Sequence, residues 1–373
     1  MNEMIYVTKS SMPSYERYIE MIKPLWDTHW LTNMGTFHNQ LEEKLTEYLE
    51  VPCTSLMVNG HMALEMTIQS FGFPEGSEII TTPFTFISTT HAIVRNKLVP
   101  VFCDVKEPYG IIDETKIEAL ITNKTVAILP VHVYGNICNV EEIQRIADKH
   151  NLKVIYDAAH AFGEKYKGIG IGNFGDASIF SFHATKVYNT IEGGAVTMHD
   201  TSIYDKLYDL KNFGIHGEEV VSDVGANAKM NEFCAAMGLC NLERVNEVII
   251  ARKERWMWYK KQLQDIKGIT MWEQNTNVES NYAYFPIIVD DVSGQKRDHV
   301  YNKLKQNNIF SRKYFYPLTC DQQIYQKSYM TCNVKIARML SKEVLCLPFY
   351  ETIEERTIRK IAEIIRGAIG DGE

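Results

Sequence analysis

The strongest constraint on the fold lies between residue 51 and about residue 200, where short β-rich runs alternate with stretches of helical period. The runs TSLMVN, EIITT, LVPVFCDV, TVAILPVHV, KVIYDA, ASIFSFH and GAVTMHD are rich in Val, Ile, Phe and Thr, which suit a pleated, buried surface. Between them HMALEMTIQSFG, STTHAIVRN, DETKIEALI and VEEIQRIADKHN space their apolar residues for one buried helical face. Strands alternating with helices build a mainly parallel sheet covered by helices, so the sequence predicts an α/β domain with a seven-stranded centre.

Beyond a Gly-containing loop near 214–227, residues 229–267 are almost free of Gly and Pro and keep helical spacing, which predicts long helices leading out of that domain. Runs at 282–290, 309–316 and 344–348 predict strands, and 294–307 and 353–367 predict helices. They make a smaller α/β domain of antiparallel character. The expected division is an N-terminal arm and large domain over 1–245, then a connecting helix and small domain over 246–373.

With 373 residues and 45% hydrophobic content, the chain can build more than one core. Its net charge of −8 is dispersed and no run of five Lys/Arg occurs, which argues against nucleic acid and anionic membranes as partners. No apolar stretch approaches the ~18 residues of a membrane span, and the N-terminal residues lack the apolar segment of a signal peptide, so a cytoplasmic protein is expected. Eight cysteines never fall in a C-x-x-C pair and are expected as buried thiols.

Ligands of an open α/β sheet settle beyond the C-terminal ends of its strands. Those positions hold Asn59-Gly60-His61, Pro83 to Phe86, His132 to Gly135, Asp157 to His160 and Ser181 to Lys186. At Asn59-Gly60 a strand runs straight into a helix, whose free N–H groups form either an anion seat or an ordinary turn. Asp157 follows an apolar run, so its carboxylate needs a cation or an N–H donor, which a helix N-terminus would equally supply. One ring of Phe84 and Phe86 faces a flat ligand, or both pack in the core. Lys186 is either a solvated charge or a nucleophile. His132, His160 and His183 come from three separate strand ends without tight spacing, so no metal site is expected. On one sheet edge, an anion seat, a shielded carboxylate, an aromatic face and a lysine meet the four demands of pyridoxal 5'-phosphate (PLP): phosphate, ring nitrogen, ring face and aldehyde.

The stretches WLTNMGTF, VNGHMALEM, TTPFTFISTTHA, LPVHVYG, YDAAHAFG, SFHATKVYNTIEGGAV, NFGI, GANAKMNEFCAAMGLCNL and RKYFYPL resemble the DegT/DnrJ/EryC1/StrS family of nucleotide-sugar aminotransferases, PLP enzymes of fold type I. The resemblance implies that Lys186 of S-F-H-x-x-K joins PLP covalently, that Asp157 pairs with the ring nitrogen, and that His160 lies near the ring hydroxyl. It assigns the ring face to Phe86, with Phe84 two residues away. It gives the phosphate to the turn Gly60-His61-Met62, through the N–H groups of His61 and Met62, to Ser181, and to Asn227 from a second subunit. His183, of the same S-F-H motif, joins the cofactor contacts. A homodimer with shared sites follows. His61 stands where the family usually has Thr or Ser, so the backbone contact carries over and the side-chain contact does not.

Lysine rather than histidine at 186 favours transamination over dehydration. The resemblance also implies L-glutamate as amino donor, ping-pong kinetics and a nucleotide-linked 4-keto-6-deoxy hexose as acceptor. The nearest likeness is to enzymes that aminate dTDP-4-keto-6-deoxy-D-glucose at C4 for O-antigen or other surface glycans. Trp30, Tyr188, Arg312, Lys313 and Tyr314 are the candidates for the sugar and diphosphate pocket. The alternatives are transfer to C3, a UDP- or GDP-linked sugar, or a catalytically silent regulatory or binding protein.

Overall fold

The computed structural model describes residues 4–290, 295–329 and 332–370. The predicted β-rich runs form one seven-stranded sheet: β1 (Cys53–Met57), β2 (Glu78–Thr81), β3 (Val99–Phe102), β4 (Thr125–Leu129), β5 (Lys153–Asp157), β6 (Ala177–Ser181) and β7 (Gly194–Met198). Their order is β1-β7-β6-β5-β4-β2-β3. β7 runs antiparallel to β1 and β6, and the remaining pairs are parallel.

Successive side chains of a strand point to opposite faces. Ile80, Ile128, Val154, Tyr156 and Phe180 accordingly enter one core, with α1 (Thr36–Leu49) and α4 (Val140–His150) packed on it. Ile79, Leu129, Ile155, Ile179 and Val196 enter a second core under α2 (Gly60–Ser70), α3 (Ile87–Arg95) and α5 (Thr201–Lys211). Burial on both faces explains why these strands read as nearly unbroken apolar runs.

Residues 229–267 form two helices, α6 (Glu232–Leu242) and α7 (Val245–Leu263). α7 packs with α8 (Gln295–Gln306) and α9 (Glu355–Gly370) over a three-stranded antiparallel sheet of β8 (Ile269–Met271), β9 (Pro286–Val289) and β10 (Val344–Cys346). Residue 294, where the helix expected over 294–307 begins, lies outside the described residues. Among the described residues no helix is long and apolar enough to cross a membrane. All eight cysteines are free, but Cys53 and Cys332 are only partly buried.

Two expected elements differ. DETKIEALI forms only short 3-10 turns, because the Asp113 carboxylate takes the Thr115 N–H and hydroxyl locally and competes with a continuous helical ladder. Residues 309–316 pair with other strands only at isolated bridges, Ile309 with Ile5 and Arg312 with Cys346. Phe315 of this segment packs instead on Phe84 and Tyr134 of the large domain.

Candidate active site

Asp157 ends β5 and is 7% exposed. Its Oδ2 accepts from Thr89 Oγ1 at 2.8 Å and its Oδ1 from the Ala159 N–H at 3.2 Å. Burial pushes the carboxyl pKa up, while those two donors and the Lys186 charge pull it down. A carboxylate offers about four lone-pair directions, so two donors leave room for a further N–H.

Lys186 follows β6, half-buried. Its Nζ donates to Tyr284 Oη at 3.3 Å and lies 5.8 Å from the centre of that ring. Desolvation lowers the amine pKa to about 8, against the opposing pull of Asp157. A free lysine titrates near ~10.4, so Lys186 holds a far larger unprotonated fraction at neutral pH. His160 Nδ1 accepts the Tyr134 N–H at 2.9 Å, which puts the ring proton on Nε2. Burial, and then the nearby Lys186 charge, hold this imidazole well below its usual pKa and keep it neutral.

The anion seat is built at the start of α2. Asn59 caps the helix with Oδ1 on the Met62 N–H at 2.8 Å, so the Met62 donor, expected at the phosphate, is engaged, while Gly60 and His61 keep N–H groups unpaired among the described residues. The His61 ring is turned to Ser88 Oγ at 2.8 Å and Glu65 at 3.2 Å. Gly60 packs directly on Ser181, whose Cβ would lie 2.7 Å from a Cβ at residue 60. Gly194 of the EGGA stretch passes so close to Asn59 that a Cβ there would meet its carbonyl at 2.7 Å. That tight approach accounts for the glycine beside the Lys186 loop: it lets β7 press against the anion-binding turn.

The structure separates the two phenylalanines. Phe84 is 1% exposed, edge-on to Tyr134 and Phe315. Phe86, just before α3, is 59% exposed and one turn from Thr89, the donor to Asp157. The exposed ring and the buried carboxylate are thus set by one helix start.

The other candidates divide between the core, the surface and the edge of the site. Tyr188, expected to line the sugar pocket, is a core residue instead: it is 1% exposed, stacks on Phe162 at 4.4 Å and donates its hydroxyl to Gly238 O. Lys313, expected in the same pocket, is spent on Asp298 at 2.6 Å and the Tyr301 ring. His183 is an exposed ring bonded to Thr185, with Glu192 at 3.6 Å. His132 is fully buried, stacked on Tyr156. Trp30, Arg312 and Asn227 are exposed. Tyr314 is half-buried beside Tyr284, and its carbonyl accepts from the Tyr134 hydroxyl.

Three residues at the site carried no signal strong enough to single them out. Thr89 is one of four Ser/Thr in STT and the preceding TF, and only the turn of α3 aims it at Asp157. Tyr134 and Tyr284 arrive from distant segments to stack near His160, at 6.4 and 4.7 Å between ring centres.

Fold and site together define a PLP-dependent enzyme of fold type I. The buried, under-satisfied Asp157, the free N–H pair at Gly60-His61, the exposed Phe86 ring and the readily deprotonated Lys186 each fit one part of the cofactor. The chain belongs to the DegT/DnrJ/EryC1/StrS aminotransferase family, whose pattern it matches over residues 14–366.

A dTDP-4-amino-4,6-dideoxy-D-glucose transaminase from Shigella dysenteriae is 42% identical over 366 residues, covering 98% of this chain and 99% of that protein. A GDP-perosamine synthase from Escherichia coli O157:H7 is 31% identical over 354 residues, covering 94% and 95%. Among solved structures, DesI in the presence of its TDP-sugar product superposes with a TM-score of 0.94 at 30% identity, covering 100% of this chain and 94% of that one.

Proposed function

We propose that this chain transfers an amino group from L-glutamate to C4 of dTDP-4-keto-6-deoxy-D-glucose, giving dTDP-4-amino-4,6-dideoxy-D-glucose. The observation that carries the reading is the Lys186 amine, brought to a pKa of about 8 beside a buried Asp157 at the sheet edge. The full-length likeness to the Shigella dysenteriae transaminase supports the choice of sugar.

When bound, PLP supplies a carbonyl that exchanges amino groups and a ring that takes up the electrons released at the neighbouring carbon. Lys186 would hold its aldehyde, Asp157 its ring nitrogen, His160 Nε2–H its ring oxygen, Phe86 its face, and Gly60, His61 and Ser181 its phosphate. The Asp157 carboxylate stabilises a proton on the nitrogen it faces. Lys186 Nζ, once free, takes the proton from Cα of glutamate and returns one to the acceptor side, the work of a general base with a pKa near the working pH. Asn227 reaches the phosphate of the other subunit in a homodimer, and its exposed side chain, without a hydrogen bond among the described residues, supports that role. Trp30, Arg312 and Tyr314 border the sugar.

Incubating the purified protein with PLP, L-glutamate and a panel of dTDP-, UDP- and GDP-linked 4-keto and 3-keto sugars tests the reading. Appearance of 2-oxoglutarate with an amino sugar from the dTDP-4-keto substrate alone is the expected result. A preference for a GDP-linked sugar, as the 31% identical relative's name would favour, would replace the nucleotide but not the chemistry. Binding of PLP without turnover on any sugar would leave only a silent, regulatory protein.

A further inference from the structure

Tyr284 belongs to no strand, yet its place is fixed from two sides. Arg252 of α7 is buried and donates from Nε to Tyr282 O at 2.9 Å and from Nη2 to Ala283 O at 2.7 Å. Asn281 Nδ2 bonds to the carbonyls of His160 and Phe162 at 2.9 and 3.0 Å, and its own N–H bonds to Glu164 Oε1 at 3.1 Å. The residues just before Tyr284 are therefore tied both to α7 and to the loop that carries His160. Its ring packs on His160, Tyr134 and Tyr314, at 4.7, 5.8 and 6.3 Å between centres.

A lysine amine on a four-carbon stem has no comparable constraint of its own. A phenol both donates and accepts, so it can serve an ammonium as acceptor and a free amine as donor. We propose that Tyr284 is a positioning residue for proton transfer at Lys186 Nζ, its hydroxyl holding the free amine in the site in either protonation state. This rests on the reading of Lys186 as the transfer lysine. The titratable and charged groups around the pair are Asp157 and His160 toward the lysine, and Arg252, Tyr134, Tyr314 and Cys346 toward the tyrosine. All of them are unchanged in Tyr284→Phe.

The test compares Tyr284→Phe with wild-type holoenzyme in three readouts: the single-turnover rate with glutamate, the pH dependence of that rate and of the bound-PLP absorbance, and the KM for sugar. The expected result is a half-reaction slowed about tenfold, the size of one hydrogen bond to a charged group. The pH midpoint should move down, because the acceptor for the ammonium is lost, and the sugar KM should stay unchanged. A wild-type half-reaction with a wild-type pH profile would overturn the proposal, and so would a raised sugar KM at unchanged half-reaction rate, which marks a simple pocket wall. If Tyr284→Phe does not fold, Arg252→Lys keeps the hydroxyl but loosens its mount; slowing of the same step supports the proposal, and a wild-type rate overturns it. Failure of the wild-type protein to take an amino group from any donor would instead sink the underlying reading of Lys186.

Discussion

At the level of single residues, the site depends on a buried carboxyl and a half-buried amine whose charges help each other and whose desolvation hurts both. Desolvation lowers the Lys186 pKa to about 8, and Asp157 is the attraction that stops it falling further. Asp157→Asn removes that attraction, so the amine should deprotonate at still lower pH. Acetylation of Lys186, followed by mass spectrometry across pH, should rise and level off above about 8 in the wild type and begin its rise earlier in the variant. Amino transfer should fall roughly 10²–10³-fold, the usual cost of removing one preorganised electrostatic partner. An unmoved acetylation curve would mean the two groups are not coupled. Lys186→Ala should abolish both cofactor attachment and transfer, read from the absorbance of the PLP-treated protein. Asp157 was legible because a carboxylate that ends an apolar strand needs a partner, and Lys186 because it sits in the S-F-H-x-x-K stretch that carries the family resemblance. Thr89 and Tyr284 were not, because Thr and Tyr occur in helices, strands and loops alike and their aim is fixed by tertiary contacts.

At the level of elements, the seven strands of the large sheet were readable since burial on both faces leaves an unbroken apolar run. Two of the departures from the expected elements fall where backbone groups bond to side chains. Asp113 captures the start of the expected helix at DETKIEALI. Arg252 captures the carbonyls of Tyr282 and Ala283, so the strand predicted over 282–290 starts only at Pro286. The same logic makes the EGGA turn a test of the anion seat. Gly194→Ala would drive a methyl into the backbone of Asn59 and Gly60, overpacking that costs about 1–3 kcal/mol. Because the strain falls on the phosphate turn, PLP affinity should weaken by about tenfold or more, while Gly367→Ala, with nothing within 4 Å of the added carbon, should leave PLP binding unchanged. Equilibrium titration of PLP into both variants checks this, and equal affinities would detach the EGGA turn from the cofactor.

At the level of the whole molecule, a single chain leaves a sizeable apolar surface uncovered near its N-terminus. Tyr15, Ile19, Trp26, Trp30 and Leu31 are all exposed, and exposed aromatic clusters of this kind mark interaction sites in soluble proteins. A second copy is the occupant that would also make sense of Asn227, which is exposed and has no side-chain hydrogen bond among the described residues. Mixing two inactive proteins distinguishes a shared site from a self-contained one. If Asn227 serves the partner's cofactor, a heterodimer of Lys186→Ala with Asn227→Ala has one site lacking both residues and one lacking neither. Activity should therefore return when the two variants are unfolded together and refolded, to about a quarter of the wild-type level for random pairing, since half the dimers then carry one intact site. If Asn227 serves its own chain, every site in the mixture keeps a defect and no activity returns. Light scattering on the same samples, reporting a dimer in both cases, would assign that failure to the residue rather than to the assembly.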